Sequence, residues 1–391
     1  MSLLRRARPR RREPLARPRH PETMFSGARG HCGESPRESV HCHSMGLIVV
    51  GIDEAGYGPR LGPMCSAMTI WRVDSWKSSG SSPDLWKVIG PSVSRRPALG
   101  LRGRAASAPI AIADSKVIKR PNDSAIVHPL CHIERGVLAA LACEEASPGE
   151  PPADDVALAS RLCGSAHGKW HADGEHWYES DPTPLPVSST PDAMRISGNV
   201  LRKGLRAASV SLLAVRGRII AETEFNDIIR RTGNKAQVAI TAIGGFVREV
   251  VEQADRFPGD DVQIVCDRLG GRERYADLLG RWFPGAAIGD SVESPDRSRY
   301  WIEVAGRRIG VAFEVQADGT HLPVALSSMV AKYLRELAMA RFNRYWGARS
   351  TDLLGAAIKP TAGYGSDAGR WLAEAGEIID PAERVRLVRL A

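Results

Sequence analysis

Two adjacent carboxylates, Asp53 and Glu54, follow the apolar run Leu47-Ile48-Val49-Val50 and are followed in turn by Gly56, Gly58 and Pro59. β-Branched residues stopped by glycines predict a buried strand. Neighbouring side chains on a strand point to opposite faces, so both acids can face one site only where the strand ends. Like charges this close raise each other's pKa unless a cation lies between them. Glycines let the backbone turn tightly and approach a ligand. The chemistry suggested is a metal site beside a backbone-lined groove. An acidic turn after a strand is the plainer alternative, and the glycine spacing and the Pro59–Pro63 segment speak against it. A second apolar run, Val262–Cys266, ends in Asp267 before Gly270-Gly271. Such an aspartate is either a helix cap or a second ligand.

These acids need a scaffold. A second strand is predicted at Met64–Trp71, turned back by Pro59–Pro63, and further strands at Ala207–Val215 and in a hairpin, Arg299–Val304 with Arg308–Gln316, around Gly306. Apolar spacing predicts helices at Ile126–Glu145, Ser197–Arg206, Asn234–Ala254, Leu326–Phe342, Asp367–Ala375 and Pro381–Leu390. Another starts at Glu222, with Thr223 as its N-cap. Two stretches, 72–108 and 146–192, are rich in Ser, Gly and Pro and read as long inserted loops. Within the second, Cys163, His167, His171 and His176 have no spacing that fixes a metal geometry, so an exposed loop is expected. Trp170 and Trp177 either stack on bases or pin that loop to the body.

The 391 residues are 43% hydrophobic, enough for a sizeable core, and no apolar run is long enough to span a bilayer. Seven scattered cysteines form no C-x-x-C pair and read as free thiols of a reducing compartment, so a cytoplasmic protein is expected. The formal charge of +8 is uneven: residues 1–44 hold ten arginines and four glutamates, a net +6, leaving +2 for 45–391. That leader cannot bury a core and is expected to be disordered. It reads as a phosphate-holding basic arm, a targeting peptide spoiled by prolines, or a reading frame started too early; Met45 before the first strand favours the last. His31, Cys32, His41, Cys42 and His43 match no closed zinc pattern.

Taken together, the motifs resemble those of the type 2 ribonucleases H (ribonuclease HII). The family reads D-E-A-G-R-G-P-x-x-G-P where this chain has Asp53, Glu54, Ala55, Gly56, Tyr57, Gly58, Pro59, Gly62 and Pro63. Asp114-Ser115-Lys116 matches its D-S-K segment, and Gln316-Ala317-Asp318 resembles K-A-D. Ser328, Ala331, Lys332, Arg335 and Glu336 follow S-I-I-A-K-x-x-R-D, and Gly363-Tyr364-Gly365 resembles G-Y-P or G-Y-G. The departures are Tyr57 for arginine, Arg268 for the glycine after the third acid, and Glu336 for aspartate.

The resemblance implies an α/β fold: a ribonuclease H-like mixed β-sheet flanked by helices, with C-terminal helices, spanning 45–391 with the two insertions. It places Asp53 on a central strand, Asp267 on its neighbour and Glu336 on a helix facing both. Asp53, Glu54, Asp267 and Glu336 are then the catalytic, metal-binding carboxylates for two Mg²⁺ or Mn²⁺ ions, hard cations that suit oxygen-only ligands. Gly56, Tyr57, Gly58, Asp114, Ser115, Lys116, Ser328, Lys332 and Tyr364 contact the substrate. The implied activity is hydrolysis of the RNA strand of RNA–DNA hybrids, or at ribonucleotides embedded in DNA, leaving 5′-phosphates, by a monomer without a membrane. The alternative is a catalytically silent or re-targeted hybrid- or junction-binding protein of the same fold.

Overall fold

The computed structural model describes residues 45–76, 82–97, 105–121, 127–145, 150–164, 170 and 174–390. The basic leader with its His/Cys group, and His167 and His171, lie outside them. The strands are β1 (Leu47–Ala55), β2 (Met64–Val73), β3 (Val93–Ser94), β4 (Ile110–Ala111), β5 (Val210–Ile220), β6 (Asp261–Asp267), β7 (Ala287–Glu293), β8 (Arg297–Val304) and β9 (Arg307–Glu314). Seven form one mixed sheet in the order β5-β2-β1-β6-β9-β8-β7, while β3 and β4 pair apart from it. β1, β6 and β9 run parallel, and β2 is antiparallel to both its neighbours. The parallel centre is covered on both faces, which explains its near-continuous apolar sequence.

The helices are α1 (Leu85–Ile89), α2 (Ser115–Ile118), α3 (Cys131–Leu141), α4 (Asp155–Cys163), α5 (Pro191–Ala207), α6 (Glu222–Thr232), α7 (Ala236–Asp255), α8 (Ala276–Trp282), α9 (Ala317–Thr320), α10 (Leu322–Leu354), α11 (Gly365–Glu374) and α12 (Pro381–Leu387). Ile48, Val50 and Ile52 of β1 pack with Val238, Ile243 and Phe246 of α7 on one face. On the other, Trp71 of β2 joins Val137 of α3, Leu201 of α5 and Met329 and Leu334 of α10. Gly51 permits the closest approach: a Cβ there would stand 2.1 Å from the Pro323 carbonyl carbon. The Ser327 hydroxyl then donates to the Gly51 carbonyl at 2.9 Å and Thr69 donates to that of Pro323 at 2.8 Å.

The inserted stretches differ from the loops expected. The first contains α1 and β3, with Trp86 buried; the second contains α4, with Trp170 and Trp177 buried. Their tryptophans therefore pin the insertion to the body. Arg341 of α10 clamps Asp155 with two bonds of 2.7 Å, and Glu134 of α3 accepts the N–H groups of Val187 and Ser188 at 2.7 and 2.8 Å. Thr223 is not an N-cap: α6 begins one residue earlier, after Ala221, and the Thr223 N–H donates to buried Glu175 at 2.7 Å. The final helix stops at Leu387, and the next three residues turn back onto the loop after β1. Among the described residues no helix is long and apolar enough to cross a membrane.

Candidate active site

The parallel register pairs Ile52 with Cys266, so Asp53 and Asp267 emerge level at the same ends of adjacent strands. Ligand sites of such sheets lie beyond the carboxyl ends of the strands. β1 does not stop at Asp53 but runs to Ala55. Alternation therefore gives Asp53 the α10 face, shared with Gly51, and Glu54 the other. Asp53 is buried and Glu54 half-buried. The Asp53 carboxylate accepts the Glu54 N–H at 2.7 Å and is hydrogen-bonded to Ser328, whose hydroxyl lies 3.0 Å from that of Ser115. Two motifs far apart in the chain thus meet on one carboxylate.

A fourth acid joins from α9. After β9 the chain passes through Gln316, in the left-handed region at φ 55°, and presents Asp318, which is buried. The Ala317 N–H donates to Asp267 at 3.0 Å, tying α9 to β6. The electrostatics mark the group as one cluster. Burial, then Glu54, Asp267 and Asp318, hold the Asp53 carboxyl well above the ordinary carboxylate range. Burial and Asp267 push Glu54 up to about 7, against the pull of Lys116. Asp267 is raised by burial, and Asp318 is raised to about 6 by burial, Asp114 and Asp267. Lys116 is the cation facing them; burial lowers its pKa, but Asp114, Asp318, Asp53 and Asp267 together raise it.

Glu336 stands elsewhere. Its carboxylate lies 2.9 Å from Lys332 and 3.3 Å from Lys119. Burial opposes ionisation, yet these lysines hold it below the ordinary carboxylate range. Lys332 is thus engaged with Glu336 on α10. Asp114 caps α2 by accepting the Lys116 N–H at 2.8 Å. Arg268 turns away, donating to the Arg272 carbonyl at 2.9 Å. Tyr364 is exposed beside Arg335.

The loop after β1 is held from behind by Arg335, a residue of the S-I-I-A-K-x-x-R-D match, and by Glu222 and Arg389, which belong to none of the motifs. Gly56, at φ 83°, has no room for a Cβ, which would meet Arg335 at 2.6 Å. The buried Arg335 guanidinium donates to the carbonyls of Pro63 and Ala362 at 2.5 and 2.9 Å. Arg389, also buried, donates to those of Gly56 and Tyr57 at 2.6 and 2.8 Å. Glu222 accepts the Gly62 N–H at 2.9 Å. For Asp318 a signal was present, the Gln316-Ala317-Asp318 segment itself; for Arg389 no pattern marked it, because its partners are backbone carbonyls.

Among the described residues, no three His, Cys, Asp or Glu side chains are drawn tightly enough together to hold one ion as they stand. The donor set nevertheless fits a hard divalent cation: four carboxylates and no soft ligand, raised together by burial and mutual repulsion that a cation relieves.

No protein-family model and no curated protein matches the chain. Among solved structures it is similar to the RNase HII of the PCNA:RNase HII complex from Archaeoglobus fulgidus, at 14% identity over 88% of this chain and 94% of that one, with a TM-score of 0.36. It is similar to the ribonuclease H2 of Pyrococcus horikoshii OT3 at 13% identity over 88% and 92%, TM-score 0.34. A third likeness is to Bst-RNase HIII in complex with Mn²⁺, at 14% identity over 89% and 67%, TM-score 0.36. Scores this low assign neither family nor activity. The chain's own topology carries the architecture: a mixed sheet flanked by helices, paired acids on its inner strands, and helices closing the C-terminal side. The fold is α/β, as expected. Only that much of the expectation rests on the architecture, since a fold by itself does not fix a reaction.

Proposed function

We propose that the protein is a metal-dependent endonuclease that hydrolyses the RNA strand of RNA–DNA hybrids. The observation that carries this reading is the convergence of Asp53, Glu54, Asp267 and Asp318 at the strand ends, where burial and mutual repulsion raise their carboxyls together, beside a glycine-bounded loop. These four, and not Glu336, would hold Mg²⁺ or Mn²⁺. Bound there, a divalent ion supplies Lewis-acid stabilisation of phosphate charge and a water of lowered pKa.

The chain's own groups do the rest. Ser115 and Ser328 orient the Asp53 carboxylate. Lys116 is positioned to hold a phosphate next to the acids. The backbone of Gly56, Tyr57 and Gly58 and the exposed Tyr364 ring are available to read a ribose 2′-hydroxyl, the group by which RNA differs from DNA. Arg335 and Arg389 fix the carbonyls of that loop, so that its outward groups are pre-organised for the substrate backbone.

A cleavage assay tests the reading, with an RNA–DNA hybrid and a duplex holding one ribonucleotide, each in Mg²⁺ and in Mn²⁺. The hybrid is expected to be cut to 5′-phosphate ends, and Asp53→Asn to abolish cutting while the protein stays folded. Binding of the hybrid without cutting in either metal would replace the enzyme by the silent binding protein.

A further inference from the structure

The loop after β1 carries Tyr57 where the resembled motif carries a cation, yet the structure brings a cation to the Tyr57 ring from another element. Lys235 directly precedes α7, and its ammonium lies 5.3 Å from the centre of the Tyr57 ring and 5.9 Å from that of Phe225. Among the described residues no carboxylate lies within ion-pair distance of it, whereas Arg230 of α6 pairs with Asp227 at 2.8 Å and Arg218 of β5 with Glu224 at 2.6 Å. The Arg389 guanidinium also lies near Phe225, 3.6 Å from the ring centre. Two cations thus share one ring. Burial and then Arg389 lower the pKa of Lys235, and Glu54 acts on the Tyr57 hydroxyl together with burial. Tyr57 therefore stands between an acid of the cluster and an uncompensated lysine.

A cation with no carboxylate at ion-pair distance, set beside a second cation, attracts an anion from outside. The α7 N-terminus adds positive potential in the same direction. The anion that fits beside four metal-suited carboxylates is a phosphate of a nucleic-acid backbone.

We propose that Lys235 is a phosphate-binding residue of this site. It supplies, across the face of Tyr57, the charge the loop itself lacks, while Arg389 locks the loop backbone behind it. The inference rests on the nucleic-acid reading of the carboxylate cluster.

Salt dependence tests it. Each phosphate neutralised contributes a slope of about 0.9 to the fall of log affinity with log salt on duplexes. Binding of a fluorescein-labelled RNA–DNA hybrid, and of an all-DNA duplex of the same sequence, is measured by anisotropy in Ca²⁺ at several salt concentrations. Lys235→Gln is expected to weaken hybrid binding roughly five- to tenfold at low salt and to flatten the slope by about 1, with Lys235→Arg close to wild type. Arg230→Gln, at a paired cation on α6, is the control and is expected to leave the slope unchanged. An unchanged slope in Lys235→Gln, or an equal flattening in Arg230→Gln, overturns the inference. A wild type that binds hybrid and DNA alike refutes the hybrid reading while the slopes still judge Lys235. A wild type that binds neither sinks both.

Discussion

Glu222 offers a quantitative test of how the substrate loop is held. It is buried with Glu175 behind Gly62, accepting the Tyr178 hydroxyl at 2.9 Å and the Gly62 N–H at 2.9 Å. Burial, then the charge of Glu175, raises its pKa from 4.5 to about 8. The perturbation is Glu222→Gln, which keeps the shape and a carbonyl acceptor and removes the ionisable group. The sign follows from linkage. A carboxyl raised on folding costs nothing below its unfolded pKa; the folded chain then keeps a proton the unfolded chain releases, and stability falls with rising pH until the folded pKa is passed. At pH 7 the gap from the unfolded value is about 2.5 units, and at about 1.4 kcal/mol each the penalty is roughly 3 kcal/mol. The assay is urea unfolding of wild type and variant at pH 5, 6, 7 and 8. Wild type is expected to lose about 2.5 kcal/mol more than the variant between pH 5 and pH 7, so that Glu222→Gln is the more stable protein at pH 7. Parallel pH profiles for the two proteins would refute the reasoning.

Two further outcomes are expected. Asp318→Asn lowers hybrid cleavage in Mg²⁺ at least a hundredfold, whereas Glu336→Gln, whose carboxylate serves two lysines, lowers it less than tenfold; steady-state kinetics of the two variants checks this ordering. Trp177→Ala removes a ring that is 1% exposed and tilted against Trp346 at 6.2 Å, and costs about 3–5 kcal/mol in urea unfolding.

The strand-end acids were legible because an apolar run closed by a carboxylate is a local pattern. Asp53 and Asp267 could be placed on adjacent strands from the sequence, and the parallel register of β1 and β6 puts them level. The fourth acid stood in a named segment, but its place among the ligands did not show, because it depends on a single left-handed residue, Gln316, where the chain turns from β9 into α9. Glu336 looked equivalent by motif order, but its fate is decided by Lys119, which arrives from beyond α2 and which spacing along α10 does not reveal. Strand β7 escaped notice because each of its seven residues is exposed, so no alternation marks it. The insertions read as loops by composition, yet their tryptophans are buried: Trp170 and Trp177 meet Arg341 and Trp346 of α10, more than a hundred residues away.

The bond from Ser327 to the Gly51 carbonyl spans 276 positions of sequence, and that from Arg389 to Gly56 spans 333. Contacts of such separation form late, since the chain entropy of closing them precedes any reward. During synthesis β1, with Asp53 and Glu54 at its end, emerges long before the helix that covers it. Until α10 arrives, Asp53 stays in water, where its repulsion from Glu54 is screened and costs little. Burying the acids is therefore among the last steps of folding. A fragment ending before α10 would carry all four carboxylates in sequence, and none of the desolvation that α10 brings to Asp53.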